Sequence, residues 1–549
     1  MSMDKKKRAN ASNAAFYLVV VVGIVVAINL IGTRVFGRLD LTDAKVYTLS
    51  PSSKDIVRNL PDYLSIKLYV SDGLPPEMKS TSRYVRDLLD EYRTNSKGKL
   101  RFEALDPGAD KKLEDEAASC GVHKLQVQKL EDTKFEVGSY FLGLCLQYNG
   151  QNEAVGEIVG AEGLEYQVSS LIKRMTQRKR KLALTTGHGE LDLNQGFQTL
   201  QHILSQEYDT TTVNPSSAVI GDDVDALLVG GPKQAFDEKG RKEIDSFLMK
   251  GKGVIFLVDG MAMSSPNQGN PMQQQMQGGG PKIGQANDSG LGDLLKGYGF
   301  EVGQDFVLDR QNAPGPVDIG GRRMLANAPM FVGVEAPKSQ DKDFTLMAGI
   351  NALIFPYASS VSLVGPLASG KPAQGKLWKL AQSSRASWKA SGFFFFNPGT
   401  PIEEGKDKGP FALGYAYEGP LKSVYAPAAT PGMSLAPGST PGESKKRVRM
   451  VVVGDSDFAS DEYFPMNRFL PVYGNGAQFL LNALGWTLED EALTPVRAKT
   501  VTSRPIQLDA DQKVTALKMF NILGVPLAFC AFGIVRWRVR RSRRQSQKL

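Results

Sequence analysis

Two long apolar runs bracket the chain, and between them the apolar positions alternate between a period of two and a period near 3.6. Residues 14–32 (AAFYLVVVVGIVVAINLIG) carry no charge and only Asn29 as a strongly polar side chain. As a helix this run covers roughly 28 Å, close to the hydrocarbon thickness of a bilayer. It has no small-x-small cleavage site and predicts a retained transmembrane helix rather than a signal peptide. Near the other end, 519–535 (MFNILGVPLAFCAFGIV) repeats the pattern less cleanly, with Asn521 and Pro526 inside it. Lys518, Arg536 and Trp537 flank it as interfacial residues do, so a second span over 516–537 is expected. A buried core helix is the alternative for each run.

After the first span, Ser50-Pro51 predicts a helix N-cap and first turn, with the helix running to about residue 60. Residues 64–70 (LSIKLYV) alternate as a half-buried strand does. A helix is expected over 82–93, with Tyr84, Val85, Leu88, Leu89 and Tyr92 on its apolar face. A strand at 100–105, a helix near 110–118 and strands at 138–148 and 153–159 follow, the last two joined by the hairpin signal Asn149-Gly150. This β-α-β-α-β-β order predicts a thioredoxin-like domain over 45–160. It has no Cys-x-x-Cys, because Ser71-Asp72-Gly73-Leu74 stands after the first strand. The domain is expected to be a scaffold or binding surface without redox chemistry.

A helix linking two domains fills 161–180 and ends in the basic run Arg178-Lys179-Arg180-Lys181. From 181 the pattern becomes α/β, with strands at 181–185, 210–213, 226–229 and 253–258 and helices at 196–207 and 237–250. Such alternation predicts a parallel, doubly wound sheet. Residues 261–290, rich in Gln, Gly and Met, interrupt it and are expected to form a mobile insert. Met261, Met263, Met272 and Met276 have no His or Cys companion, which argues against a soft-metal site. Residues 300–445 read as mixed, with strand-like pieces at 306–308, 360–365 and 411–417. A strand at 447–453 runs into Gly454-Asp455-Ser456-Asp457, a helix at 476–486 returns to the sheet, and a tether over 488–515 leads to the second span.

Charge changes the picture only once it is located. The chain of 549 residues has a net charge of +8 and 42% hydrophobic residues. Residues 1–13 supply about +3, from Lys5, Lys6, Lys7 and Arg8 against Asp4, and 538–549 with Arg536 supply +7, leaving the interior near −2. Basic charge confined to the ends excludes a nucleic-acid binder. By the positive-inside rule it places both tails in the cytoplasm of a bacterial inner membrane and the bulk of the chain in the periplasm. Three cysteines do not make a disulfide framework; Cys120 and Cys145 read as buried free thiols, with pairing in an oxidising periplasm as the alternative.

The ordered set LTDAKVYTLSPSS, LTTGHGELD, DALLVGGP, FDEKGRKEIDSFLMKGKGVIFLVD and VVVGDSDFASD, between two spans, resembles the GldG-like auxiliary components of ABC transporters, a family named after gliding motility. The resemblance implies a thioredoxin-like domain followed by a class I glutamine-amidotransferase-like domain over 181–487. It further implies a non-catalytic accessory working with an ABC-2-type permease and a cytoplasmic ABC ATPase, and with other cell-envelope proteins. No G-x-x-x-x-G-K-[ST] is present, so no P-loop supports ATPase activity in this chain, and no cofactor is called for.

The chemistry-bearing residues sit at strand ends, where ligands bind in open α/β sheets. They are His188, Glu190 and Asp192 after one strand and Asp455, Ser456 and Asp457 after another. An amidotransferase-like reaction needs a nucleophile with a histidine base, yet residues 181–486 contain no cysteine and no G-x-S-x-G elbow. Three readings stay open: turn and capping residues, a ligand or partner loop, or a membrane-tethered hydrolase in which the two loops converge, with or without a metal. A purely structural envelope component is a further reading of the whole chain.

Overall fold

The computed structural model describes residues 48–489 except 132–133, 191–196, 265–281, 320–321, 336–343, 397–401, 427–440, 462 and 464–469; it also describes 20, 23, 24, 493, 494, 496, 527 and 530–538. The expected spans at 14–32 and 516–537 lie mostly outside these residues. So do the basic tails and the tether. Among the described residues no helix is long and apolar enough to cross a membrane. Residues 1–501 form one compact unit and 502–549 another, the latter described only as helix at 527 and 530–538.

In the first lobe, helix α1 (Pro51–Arg58) starts as expected, with Ser50 Oγ accepting the Ser53 amide at 3.1 Å and proline at the first position. Strand β1 (Leu64–Val70) leads to α2 (Pro76–Asn95), which begins six residues before its expected start. Its proline occupies the first turn, where a missing N–H costs nothing. Strand β2 (Leu100–Leu105), helix α3 (Lys111–Cys120) and strands β3 (Lys124–Glu131), β4 (Lys134–Tyr148) and β5 (Gln151–Val155) complete the lobe. β1 runs parallel to β2 and antiparallel to β4, and β5 and β3 pair with opposite ends of the long β4. Sequence reading did not anticipate β3, whose apolar alternation is thin. The β4–β5 hairpin turns at Asn149 and Gly150, both with positive φ (48° and 77°), the conformation a two-residue I′ loop requires.

Cys120 and Cys145 form a disulfide, with Cα atoms 6.0 Å apart, which corrects the expectation of free thiols. The end of α3 turns through Gly121 in the left-handed region, bringing Cys120 onto β4, where Cys145 lies buried among Tyr69, Ala117, Val122 and Phe141. Linear sequence does not show that contact between a helix end and a strand.

Helix α4 (Leu164–Thr176) joins the lobes. The second lobe is built on β6 (Arg180–Thr185), α5 (Gln198–Glu207), β7 (Tyr208–Val213), β8 (Ala226–Gly230), α6 (Glu238–Met249) and β9 (Gly253–Leu257). The chain then leaves the sheet. It forms β10 (Met261–Ser264), β11 (Lys282–Ala286), α7 (Gly292–Gly297), β12 (Phe300–Val302), β13 (Asp305–Asp309), β14 (Asn312–Ile319), β15 (Arg322–Glu335), β16 (Ala352–Pro356) and β17 (Val361–Leu363). After β18 (Lys376–Gln382), β19 (Ser387–Ser391), β20 (Phe394–Phe396) and β21 (Ala412–Gly419) it returns as β22 (Val448–Val453) and α8 (Gly474–Thr487). The region read as mixed is thus antiparallel strands, and the ends of the expected insert 261–290 are strands rather than loop.

The main sheet runs β18-β21-β22-β9-β8-β6-β7. From β7 to β22 it is parallel, and β21 and β18 add antiparallel. Its central strands β8, β9 and β22 read as near-continuous apolar runs because both faces are covered. Leu182, Leu184, Leu228, Ile255 and Leu257 pack in one core, and Ala183, Leu227, Val229, Val254 and Phe256 pack in the other.

Three Asp carboxylates hold the excursion with one arrangement, each accepting from both the backbone N and the Oγ of a distant serine. Asp259 holds Ser456 at 2.7 and 2.6 Å, Asp305 holds Ser360 at 2.9 and 2.8 Å, and Asp309 holds Ser384 at 2.6 and 2.6 Å.

Candidate functional site

From β6 the chain crosses through α5 to β7 on one side of the sheet and then to β8 on the other. The order β7-β6-β8-β9-β22 therefore reverses direction at β6, and the crevice outside the carboxyl ends of β6 and β8 is the switch point at which open sheets bind ligands. Residues 186–190 occupy it. Gly187 and Gly189 have φ of 98° and 72°, and a Cβ on Gly187 would collide with the Asn214 side chain. Both glycines are required by the turn.

That turn aims His188 inward, with only 6% of the residue exposed. Its ring stacks on Phe236, with centroids 3.8 Å apart. Nδ1 lies 3.2 Å from Glu190 Oε1 and Nε2 lies 3.0 Å from Ser216 Oγ. Glu190 Oε2 also accepts the His188 amide at 2.6 Å. The main-chain oxygen of His188 accepts from the amides of Lys233 and Gln234 after β8. Carboxylate, imidazole and hydroxyl stand in line as in a nucleophilic triad, but the proton order is reversed. Ser216 Oγ donates to Asp237 Oδ1 at 2.6 Å, so toward His188 it accepts. The nitrogen that faces this accepting hydroxyl is Nε2, which therefore donates to Ser216, while Nδ1 faces the Glu190 carboxylate. An Nε2 that donates to Ser216 offers no lone pair with which to activate that hydroxyl. Asp237 caps α6 through the Gly240 amide at 2.7 Å. Its carboxyl is held below the usual range by the Ser216 hydrogen bond and that amide.

The second expected loop lies over β9 and β22. Asp455 is fully buried, and its Oδ1 accepts the Asp457 amide at 2.7 Å. Its Oδ2 has no hydrogen-bond partner among the described residues. Burial, with repulsion from Asp457 and Asp259, raises its carboxyl well above the ordinary range. Asp259 is raised too, chiefly by burial and against the lowering pull of Ser456. Ser456 donates to Asp259 and has no histidine against its hydroxyl among the described residues, so the imidazole base of a triad is missing there.

The structure brings His188 and Glu190 together and Asp455, Ser456 and Asp457 together, but the two sets stand over strands three spacings apart, roughly 14 Å. The convergence that the hydrolase reading needed is absent among the described residues, since parallel strand order separates what the sequence left free to meet. Asp192 lies outside the described residues. Among those described, no group of three or more His, Cys, Asp or Glu side chains is placed to hold a metal ion. Ser216, Phe236, Asp237 and Asp259 were not singled out as site residues. Asp237, a helix start, and Asp259, a strand end, had a local signal; Ser216, in a plain loop, had none.

Residues 179–483 match the family described as an ABC-type uncharacterized transport system. Residues 43–147 match a domain of unknown function, DUF7088. No curated protein matches the chain. Among solved structures, the mmIFT52 N-terminal domain is similar at 14% identity over 56% of this chain and 97% of its own length. Its TM-score of 0.32 is too low to support any inference. The transport-system match spans more than half of the chain and contains both strand-end loops, so the chain belongs to this family as an auxiliary component of an ABC-type transport system.

Proposed function

We propose that the protein is a GldG-like, membrane-anchored, extracytoplasmic accessory subunit that binds substrate or envelope partners and couples them to an ABC-2-type permease and a separate ATPase. The family membership of the second lobe is the observation that carries this reading. Three features support the finer parts. The Cys120–Cys145 disulfide suits an oxidising compartment such as the periplasm, in keeping with apolar runs at both ends and basic residues outside them. The donation of Ser216 to Asp237 rather than to His188, and the lack of a histidine against Ser456 among the described residues, favour a binding role over hydrolysis. The order β2-β1-β4-β5, with β4 antiparallel to its neighbours, suits a thioredoxin-like first lobe, and the parallel sheet suits an amidotransferase-like second lobe. Purification of the full chain from native membranes under mild detergent is expected to recover a permease and an ATPase in fixed ratio. Recovery of the chain alone, as a stable monomer, would refute the coupling role.

A further inference from the structure

Beside the end of β9, between α7 and β12, the second lobe opens into a cleft of about 370 Å³. It belongs to neither strand-end loop, although Asp259 forms part of its wall. The volume falls within the range of small-molecule sites, roughly 300–1,000 Å³. Asn287, Asp288, Ser289, Lys296, Glu301 and Gln304 line it.

Asn287 is the informative residue. It is 91% buried, since 9% of it remains exposed. Its Nδ2 donates to the main-chain oxygens of Pro232 at 2.9 Å and Asp259 at 2.8 Å. Both partners are acceptors only, so the amide cannot be flipped. Oδ1 is therefore held on the side away from these carbonyls and has no partner among the described residues. This acceptor, on a buried side chain and open toward the cleft, is free to take a donor from a bound molecule.

The charges around it have one sign in excess. Asp288 and Glu301 contribute carboxylates, and the single lysine, Lys296, is engaged with Glu301 at 3.0 Å. Asp288 Oδ1 accepts the Gly290 amide, leaving its second oxygen unassigned. No arginine lines the cleft. An anionic ligand would be repelled, and a ligand bringing charged donors would be matched.

We infer that this cleft binds a small molecule through an ammonium group, with Asn287 Oδ1 and the Asp288 carboxylate as the receiving acceptors. This deepens the binding role proposed above and is tested apart from it, because ligand binding to the purified chain needs neither permease nor ATPase.

Calorimetric titration of the full chain with putrescine and ethanolamine, and with 1,4-butanediol and ethylene glycol as uncharged counterparts, makes the test. Saturable binding of the amines is expected, at least tenfold tighter than of the diols. Asp288→Asn, at an exposed position that tolerates the change, is expected to weaken amine binding at least tenfold. Asn287→Ala should abolish it, with an unchanged circular dichroism spectrum as the folding control. Absence of saturable amine binding, equal affinity for the diols, or wild-type affinity in Asp288→Asn would each overturn the inference, and none of these results bears on co-purification with a transporter.

Discussion

The two lobes close their sheets by different chemistry. In the first, every strand lies within residues 64–155, and a disulfide joins positions 25 residues apart. In the second, β9 ends at Leu257 and its parallel neighbour β22 begins only at Val448. No covalent link crosses that interval among the described residues. The Asp259–Ser456 contact crosses it instead, spanning 197 residues, while Asp305–Ser360 and Asp309–Ser384 hold the excursion at 55 and 75 residues. A staple lowers the entropy of the unfolded chain. A buried carboxyl that takes two donors fixes direction as well as distance, because both donors go unsatisfied if the returning strand arrives out of register.

The largest expected effect is on the longest of these contacts. Asp259→Ala leaves the amide and hydroxyl of Ser456 buried without an acceptor and is expected to cost about 4 kcal/mol in urea unfolding of the full chain. A loss below about 1 kcal/mol would make the clamp a bystander. In the first lobe, replacing Cys120 and Cys145 with alanine is expected to cost about 3 kcal/mol, read as earlier melting of peptides 64–155 by hydrogen exchange with 180–489 unchanged. Simultaneous loss in both lobes would show that they do not close independently.

His188→Ala removes a stacked ring and the link from Glu190 to Ser216, with an expected cost of about 2 kcal/mol. If His188 served as a general base instead, the variant would lose an activity and little stability.

The smallest effect distinguishes the two strand-end loops by pH. The Asp455 carboxyl is raised in the folded state, so the folded protein holds a proton that the unfolded chain releases above the ordinary carboxylate range near 4. That contribution to stability falls as pH rises. Asp455→Asn is expected to remove the fall, gaining about 1 kcal/mol on the wild type at pH 8 and little at pH 4. Parallel stability curves across this interval would mean that Asp455 ionises freely.

Much of the local architecture was legible. The Ser50-Pro51 start, the Asn149-Gly150 turn and the strand ends at His188 and Asp259 each depend on a few neighbouring residues, through capping, positive φ or the exhaustion of an apolar run. The first six residues of α2 were hidden by a proline pair, and β3 by weak alternation. The disulfide was missed because Cys145 looked like an interior strand residue, which it is; what the pattern lacked was the helix end packed against it.

Sequence by itself determined the α/β alternation of the second lobe, the apolar ends of the chain, the glycine-bracketed turn that presents His188 and the placing of candidate chemistry at strand ends. These are short-range or compositional properties, set by backbone sterics and by hydrophobic periodicity. Only the tertiary structure decided which strand ends are neighbours, and with that the role of each side chain. It set Ser216 and Asp237 beside His188, which turned a triad-like line into a locked hydrogen-bond chain. It carried Ser456 back across 197 residues to Asp259, and it kept the two loops three strands apart. Sheet order depends on how long segments pack against both faces, and no local pattern encodes that pairing.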